Sequence, residues 1–278
     1  MIKELIRDIT FSINSEGITS SYYDTNNRIY CIIQLSADKF DQYEFKGEAF
    51  EISFNTINLV KIFKGVSVKD EGIEFHITPT SFTVQIDGRF TQLIADIDLI
   101  QPISHYVTLP DYINYPIILS IDSRDFQSTI SQLKIMCHTI PRMQNIEIMY
   151  YANELTYTIL HNLYGSSVKI VKKIEEIEQP EPTNSPLERD EQSERVAQPS
   201  RKSATSHSIN TAKVKTDDIY AFVLNLQFLV NLTKTTNMTQ NIYMYINNNT
   251  PIFFEYMIGT LGKLIIGINP VEEIADDE

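Results

Sequence analysis

The chain reads as two half-chains of similar pattern strung on one long connector, and that connector limits the possible folds more than any other stretch. It lies within FTQLIADIDLIQPISHYVTLPDYINYPIILSIDSRDFQSTI, Phe90 to Ile130. This stretch leaves one apolar-patterned unit, crosses roughly twenty residues with little regular periodicity, and enters a second strand-then-helix pattern. Connectors of that length inside compact proteins are usually functional or disordered. Ile100, Ile103, Val107, Leu109 and Pro110 make disorder the poorer reading. A tether lying across the surface, offering apolar side chains to a partner, is expected instead.

The pattern before the connector gives an amphipathic helix over Ile2 to Ile9, then extended segments at Phe11 to Ile13, Ile18 to Tyr23 and Tyr30 to Leu35. Phe50 to Phe54 reads as a strand, and Asn55 or Thr56 caps a helix over Ile57 to Lys64. Lys61 and Lys64 stand three residues apart on its polar side. Strands follow at Ile73 to Ile77, Ser81 to Ile86 and Thr91 to Ile97. The second half repeats this order. Tyr115 to Ile121 is extended, and Asp122 or Ser123 caps a helix over Phe126 to Cys137. Strands are expected at Ile146 to Tyr151, Leu155 to Leu160 and Ser166 to Val171, with a helix over Asp218 to Thr233. Ile242 to Ile246, Ile252 to Ile258 and Lys263 to Ile268 close the chain as strands. The reading is an internal duplication of architecture: α+β, antiparallel sheets with short helices on one face.

Between the halves of the second unit, Lys173 to Val214 is rich in Pro, Ser, Glu, Gln and Arg with almost nothing to bury. A disordered insert over about 175–212 is expected, because closing a long loop costs little more than closing a short one. The end, EEIADDE, reads as an acidic tail. The domain reading is therefore 1–96, a connecting loop 97–114, 115–270 with its insert, and a tail 271–278.

Composition removes several function classes. A net charge of -13 argues against a simple basic-patch binder of nucleic acid or membrane, though not against basic residues gathered on one inner face. Cys31 and Cys137 lie far apart with no ligand-like spacing, so both are expected as reduced core thiols. No apolar run reaches membrane-spanning length and the start lacks a signal-peptide core, so an intracellular, soluble protein is expected. Walker A, GxGxxG, HExxH and GxSxG patterns are absent. The histidines His76, His105, His138, His161 and His207 fall in different elements, and Asp96 with Asp98 is a weak metal pair. A binding protein without cofactor or metal is expected rather than an enzyme. An enzyme using scattered acids is the weakest alternative.

Several words of the sequence resemble the proliferating cell nuclear antigen family of sliding clamps. They are DITFSINSEGITSSYYDTNNRIYCIIQL (Asp8 to Leu35), LVKIFK (Leu59 to Lys64), YVTLP (Tyr106 to Pro110) and DFQSTISQL (Asp125 to Leu133). The last is FLVNLTKTTNMTQNIYMYINNNTPIFFEYMIGTLGKLIIGINP, Phe228 to Pro270. Their order and spacing cover nearly the whole chain apart from the insert. The resemblance implies a DNA clamp fold, two similar domains each with antiparallel sheets outside and two helices inside. It implies a homotrimeric ring around duplex DNA, serving a DNA polymerase as processivity factor in replication and repair, with a clamp loader as a further partner. The Tyr- and Asn-rich composition points to a large DNA virus, acting in the host nucleus or at a cytoplasmic replication site.

By the same resemblance, Lys3, Lys61, Lys64 and Lys234 match the family's basic channel positions, and Lys134 and Arg142 add charge nearby. A partner-peptide groove would be walled by Tyr23, Asn27, Arg28 and Tyr30 and by Val107, Leu109 and Pro110 of the connector. Pro251, Gly267, Asn269 and Pro270 would form its floor. The chain departs from the family in three places. It starts part-way through the family's first helix, so the first strand and part of that helix are missing from the expected fold. Ser128 and Ser131 stand where the family often has arginine. Gly267 and Asn269 replace an aromatic residue and an alanine, which implies a wider, more polar pocket. The alternative to a ring is a monomeric or dimeric clamp-fold interaction protein acting in viral transcription or polymerase assembly.

Overall fold

The protein is described from a computed structural model, and the structure describes residues 6–24, 29–64, 72–89, 92–101, 111–138, 145–161, 166–174 and 218–271. Its architecture is α+β, and every strand pairing among these residues is antiparallel.

The first half opens with β1 (Asp8–Asn14), β2 (Gly17–Asp24) and β3 (Ile29–Ser36). The turn between β1 and β2 is made by Asn14, whose Oδ1 accepts the N–H groups of Glu16 and Gly17 at 2.8 and 3.1 Å. Gly17 has φ +141, and a Cβ there would lie 2.0 Å from the Leu35 carbonyl oxygen, so only glycine fits. β4 (Phe50–Asn55) pairs with β1, and helix α1 (Thr56–Phe63) follows directly. Asn55 is the cap, its side chain accepting the Ile57 N–H at 2.9 Å while its amide donates to Asp8. A meander of β5 (Gly72–Thr78), β6 (Ser81–Asp87) and β7 (Gln92–Ile97) comes next, then β8 (Leu99–Ile100) returns to β4.

The second half runs β9 (Ile117–Asp122), α2 (Ser123–His138), β10 (Asn145–Tyr151), β11 (Glu154–His161), β12 (Ser166–Lys173) and β13 (Tyr220–Asn225). It ends with α3 (Leu226–Leu232), a 3₁₀ turn (Thr233–Thr235), β14 (Asn241–Ile246), β15 (Ile252–Ile258) and β16 (Gly262–Ile268). Asp122 caps α2, its carboxylate accepting the N–H groups of Arg124 and Asp125.

Among the described residues the strands form three sheets. Nine strands run in the order β8-β4-β1-β2-β3-β16-β15-β14-β9, four as β12-β11-β10-β13, and three as β5-β6-β7. The nine-stranded sheet draws on both halves, joined where β3 pairs with β16 from Ile29↔Ile268 to Leu35↔Gly262. Alternation sorts its side chains. Cys31, Ile33, Leu264, Ile266 and Phe254 enter the main core with Leu133 of α2 and Leu229 of α3. Ile32, Ile265 and Phe253 point the other way, into a small aromatic cluster. The helices therefore cover one face of this sheet and the aromatic cluster the other.

Two expectations need correcting. Asp218 to Thr233 is not one helix: Tyr220, Phe222 and Leu224 are buried with period two in β13, and the helix starts only after Asn225, which caps it. Long apolar runs fit both periods, and here the pairing of β13 with β10 decides. In the stretch read as helix Ile2 to Ile9, Asp8 and Ile9 belong to β1, because the ladder to β4 extends to Asp8↔Asn55. The strand β8 and the 3₁₀ turns Ala37–Lys39 and Tyr112–Asn114 carry no pattern strong enough to be read in advance. The insert at 175–212 lies outside the described residues, as does the tail beyond Val271.

Candidate functional sites: a basic helical face and an aromatic cluster

Among the described residues, α2 and α3 bury apolar side chains against the sheets, α1 packs the half-buried Leu59 and Ile62 against the same core, and all three turn polar residues outward. What they expose is lopsided in charge. Lys61 sits in the last turn of α1 and Lys64 caps its end, Arg124 and Lys134 lie on α2, and Lys234 lies in the 3₁₀ turn after α3. All five are exposed. Among the described residues the acids here are Asp122, the exposed cap of α2, and Asp125, within 3.8 Å of Lys172 on β12. In a chain of net charge -13, five cations and two acids on these described elements make a locally basic surface. Lys61 and Lys64 also sit at the negative end of the α1 dipole, which favours them there. Lys234 Nζ donates to Asn231 Oδ1 at 3.2 Å, one turn back. Exposed cations on helices suit contact with a polyanion backbone, and the four lysines among them are point charges rather than planar forks. Ser128 and Ser131 are exposed on the same helix as Lys134. Lys3 and Arg142 lie outside the described residues.

On the opposite face of the nine-stranded sheet, Tyr23 and Tyr30, cross-strand partners on β2 and β3, stack at 4.3 Å. Tyr30 leans on Phe253, with centroids 5.8 Å apart. Tyr112, in the 3₁₀ turn that ends the connector, stacks on Phe253 at 4.7 Å and meets Tyr245 edge-on at 5.1 Å. Tyr115 closes the far side, edge-on to Phe253 at 6.0 Å. Beside them Lys263 and Glu255 form an ion pair at 3.2 Å, with Glu255 largely buried. Burial, followed by the Glu255 charge, pushes the Tyr112 and Tyr245 hydroxyls above the usual phenol range, so both remain neutral donors at physiological pH.

Gly267 and Asn269 do not leave the floor open in the way their small and polar side chains imply. A Cβ on Gly267 would lie 2.4 Å from the Phe253 ring, so the glycine exists to let that ring lie flat across β16. The aromatic surface is supplied from the neighbouring strand. Asn269 Nδ2 donates to the Tyr23 hydroxyl at 3.2 Å, holding the edge of the Tyr23–Tyr30 stack. Pro251 and Pro270 are half-buried. Asn27, Arg28, Val107, Leu109 and Pro110 lie outside the described residues.

The structure therefore places Tyr23, Tyr30, Gly267 and Asn269 together, and puts Lys61, Lys64, Lys134 and Lys234 on the other side of the sheet. Sequence reasoning missed Phe253, Tyr112, Tyr115 and Tyr245. Their signal was the parity of the aromatic runs: Phe253 alternates with Phe254, whose ring goes to the core. Other candidates gain no site. Asp96 accepts the Thr83 hydroxyl at 2.6 Å, and His76 lies 3.3 Å from Glu74 on the exposed β5. Among the described residues no three His, Cys, Asp or Glu side chains converge as metal ligands. Cys31 and Cys137 are free and buried, and burial pushes the Cys31 thiol up to about 12. Among the described residues no helix is long and apolar enough to cross a membrane. The chain matches no family model and no curated protein sequence.

Proposed function

We propose that this chain is a non-catalytic sliding clamp, a ring that encircles duplex DNA and tethers a DNA polymerase. The observation that carries the reading is the β3–β16 ladder and the position of the two strands that correspond to it. By strand order and core-facing side, Ile18, Ser20 and Tyr22 correspond to Leu155, Tyr157 and Ile159, so β12 is the counterpart of β3. Likewise Ile252, Phe254 and Tyr256 correspond to Phe82, Val84 and Ile86, so β7 is the counterpart of β16. Inside the chain β3 and β16 pair; β12 and β7 are instead the outer strands of two different sheets.

Such edges invite pairing with another chain. Repeating the internal ladder between molecules sets Leu93 opposite Ile170 and Ile94 opposite Lys169. Leu93 and Ile94 on β7, and Val171 on β12, are 45%, 58% and 44% exposed, apolar surface that this seam would cover. The contact is head-to-tail, so it closes into a ring when the rotation per unit divides the circle. Three chains of two halves each give six near-equivalent units. The helices would line the hole with Lys61, Lys64, Lys134 and Lys234, while the acidic remainder repels DNA from the outside.

The ring's benefit to a polymerase is effective concentration: a tethered enzyme rebinds its primer end before it diffuses away. Partner peptides would dock beside the aromatic cluster, on the face away from the helices, where the half-buried Tyr23 and Tyr30 stack. Cysteines placed at the seam test the reading. I94C together with K169C, oxidised in the presence of nicked circular duplex, is expected to give closed covalent rings. These should survive a high-salt wash on the circle and leave once it is cut. Retention indifferent to cutting, or no cross-link between chains, would contradict the proposal.

A further inference from the structure

β5 and β14 hold the same place in the two halves. Ile73 and Phe75 lie opposite Ile86 and Val84, as Ile242 and Met244 lie opposite Tyr256 and Phe254. Their surroundings differ. Beyond β14 runs β9, which sets Ile121, Leu119 and Ile117 opposite Ile242, Met244 and Ile246, and those three β14 side chains are buried. On β5, Ile73 and Phe75 remain 44% and 37% exposed, although the Phe75 ring meets Phe82 and Phe63 edge-on on the helical side. On the other face of the strand, Glu74 and His76 lie 3.3 Å apart, their side chains 57% and 60% exposed. Both faces of β5 thus meet solvent at the same positions, a surface that an added strand would cover.

The repeat shows what kind of strand fits: antiparallel, with apolar residues at alternate positions, as β9 supplies to β14. β5 is itself such a strand. Ile73-Glu74-Phe75-His76-Ile77 reads alike in both directions, apolar at the odd positions, with an acid and an imidazole that exchange places at the even ones. We infer that β5 pairs with β5 of a second copy about a two-fold axis at Phe75. In that register Ile73 faces the partner's Ile77, Phe75 the partner's Phe75, and Glu74 the partner's His76. Directly opposed side chains share a face, so the apolar row is doubled on one side and acid alternates with imidazole on the other. A two-fold contact needs this self-complementarity. The strand is short, so a dissociation constant on the order of 100 µM is expected. β5 and β7 are opposite outer strands of their sheet, which leaves the β7–β12 seam free. The contact stands whether or not the chain forms a ring.

The test uses the full chain carrying L93E and I94E, so that the seam contributes nothing. Sedimentation equilibrium at about 300 µM should move the mass towards twice the 32.0 kDa chain. H76E sets glutamate against glutamate at both symmetric positions and should weaken association about tenfold. Adding E74K to it restores opposite charges and should return the affinity to within about twofold of the start. An oxidised equal mixture of E74C chains and H76C chains should form mixed disulfide dimers in preference to either like pair. A mass that stays at one chain, an H76E variant that associates as before, or cross-links without preference for the mixed pair would overturn the inference. Those results would leave a trimeric native chain untouched, and a native chain that is single at micromolar concentration would leave this contact untouched.

Discussion

The two halves of this molecule follow one order of elements but bury them to different depths. In the second half α3 hides Leu226, Leu229 and Leu232, α2 packs against it, and β14 is flanked by β9. In the first half α1 buries only Thr56 and leaves Ile57 39% exposed. The counterpart of β14 is β5, which has no outer partner among the described residues, and Ile73 and Phe75 on it are exposed. A matching order of elements therefore does not guarantee a matching core. Among the described residues the first half rests on the shared sheet and on β5-β6-β7, whereas the second half adds the packed pair α2 and α3.

The largest expected effect separates the helices. Leu229→Ala removes a fully buried side chain and should cost about 2–5 kcal/mol in urea unfolding. Leu59→Ala on the half-buried face of α1 should cost about 1 kcal/mol; equal losses would break the comparison. Gly267→Ala comes next, at about 1–3 kcal/mol, because the new methyl must displace the Phe253 ring. A neutral result would mean that the ring is not seated on β16. Reversing charge in one half, K61E with K64E, or in the other, K134E with K234E, should weaken retention on DNA by at least about tenfold each. An effect confined to one pair would show that only that half faces the duplex.

Smaller effects sharpen the likeness. Asn55 and Asn225 cap α1 and α3 in the same way, accepting the N–H two residues on at 2.9 and 2.8 Å. Asn225→Ala should cost about 1 kcal/mol, and Asn55→Ala slightly more because its bond to Asp8 is lost too. A further contrast is chemical and appears only at high pH. The Cys31 thiol is raised by burial from its ordinary 9 to about 12. The folded state holds that proton more tightly, so the contribution is full below pH 9 and is lost as pH rises towards 12. Unfolding scans across that window should fall more steeply for the native chain than for C31A.

Strand parity was readable where one face of a strand is dry: Ile146, Ile148 and Tyr150 of β10, or Phe82, Val84 and Ile86 of β6, alternate as burial requires. The capping residues Asn55 and Asp122 were among the candidates for the same local reason. What could not be read is pairing between distant segments. Nothing near Ile32 or Ile265 says that they lie opposite each other, yet that ladder joins the halves and decides which tyrosines meet Phe253. Tyr220 to Leu224 was misread because an apolar run suits either period until its neighbour β10 is known. The lysines were legible as exposed. Their separation from the aromatic cluster by a whole sheet was not, because it follows from topology.

The proposed seam between β12 of one chain and β7 of the next is the claim on which the functional reading depends, and light scattering on size-fractionated protein probes it most directly. A mass near three times the 32.0 kDa chain at micromolar concentration is predicted, dropping to a single chain when I94E and L93E remove the apolar edge. A native protein that elutes as one 32.0 kDa chain under the same conditions would contradict it.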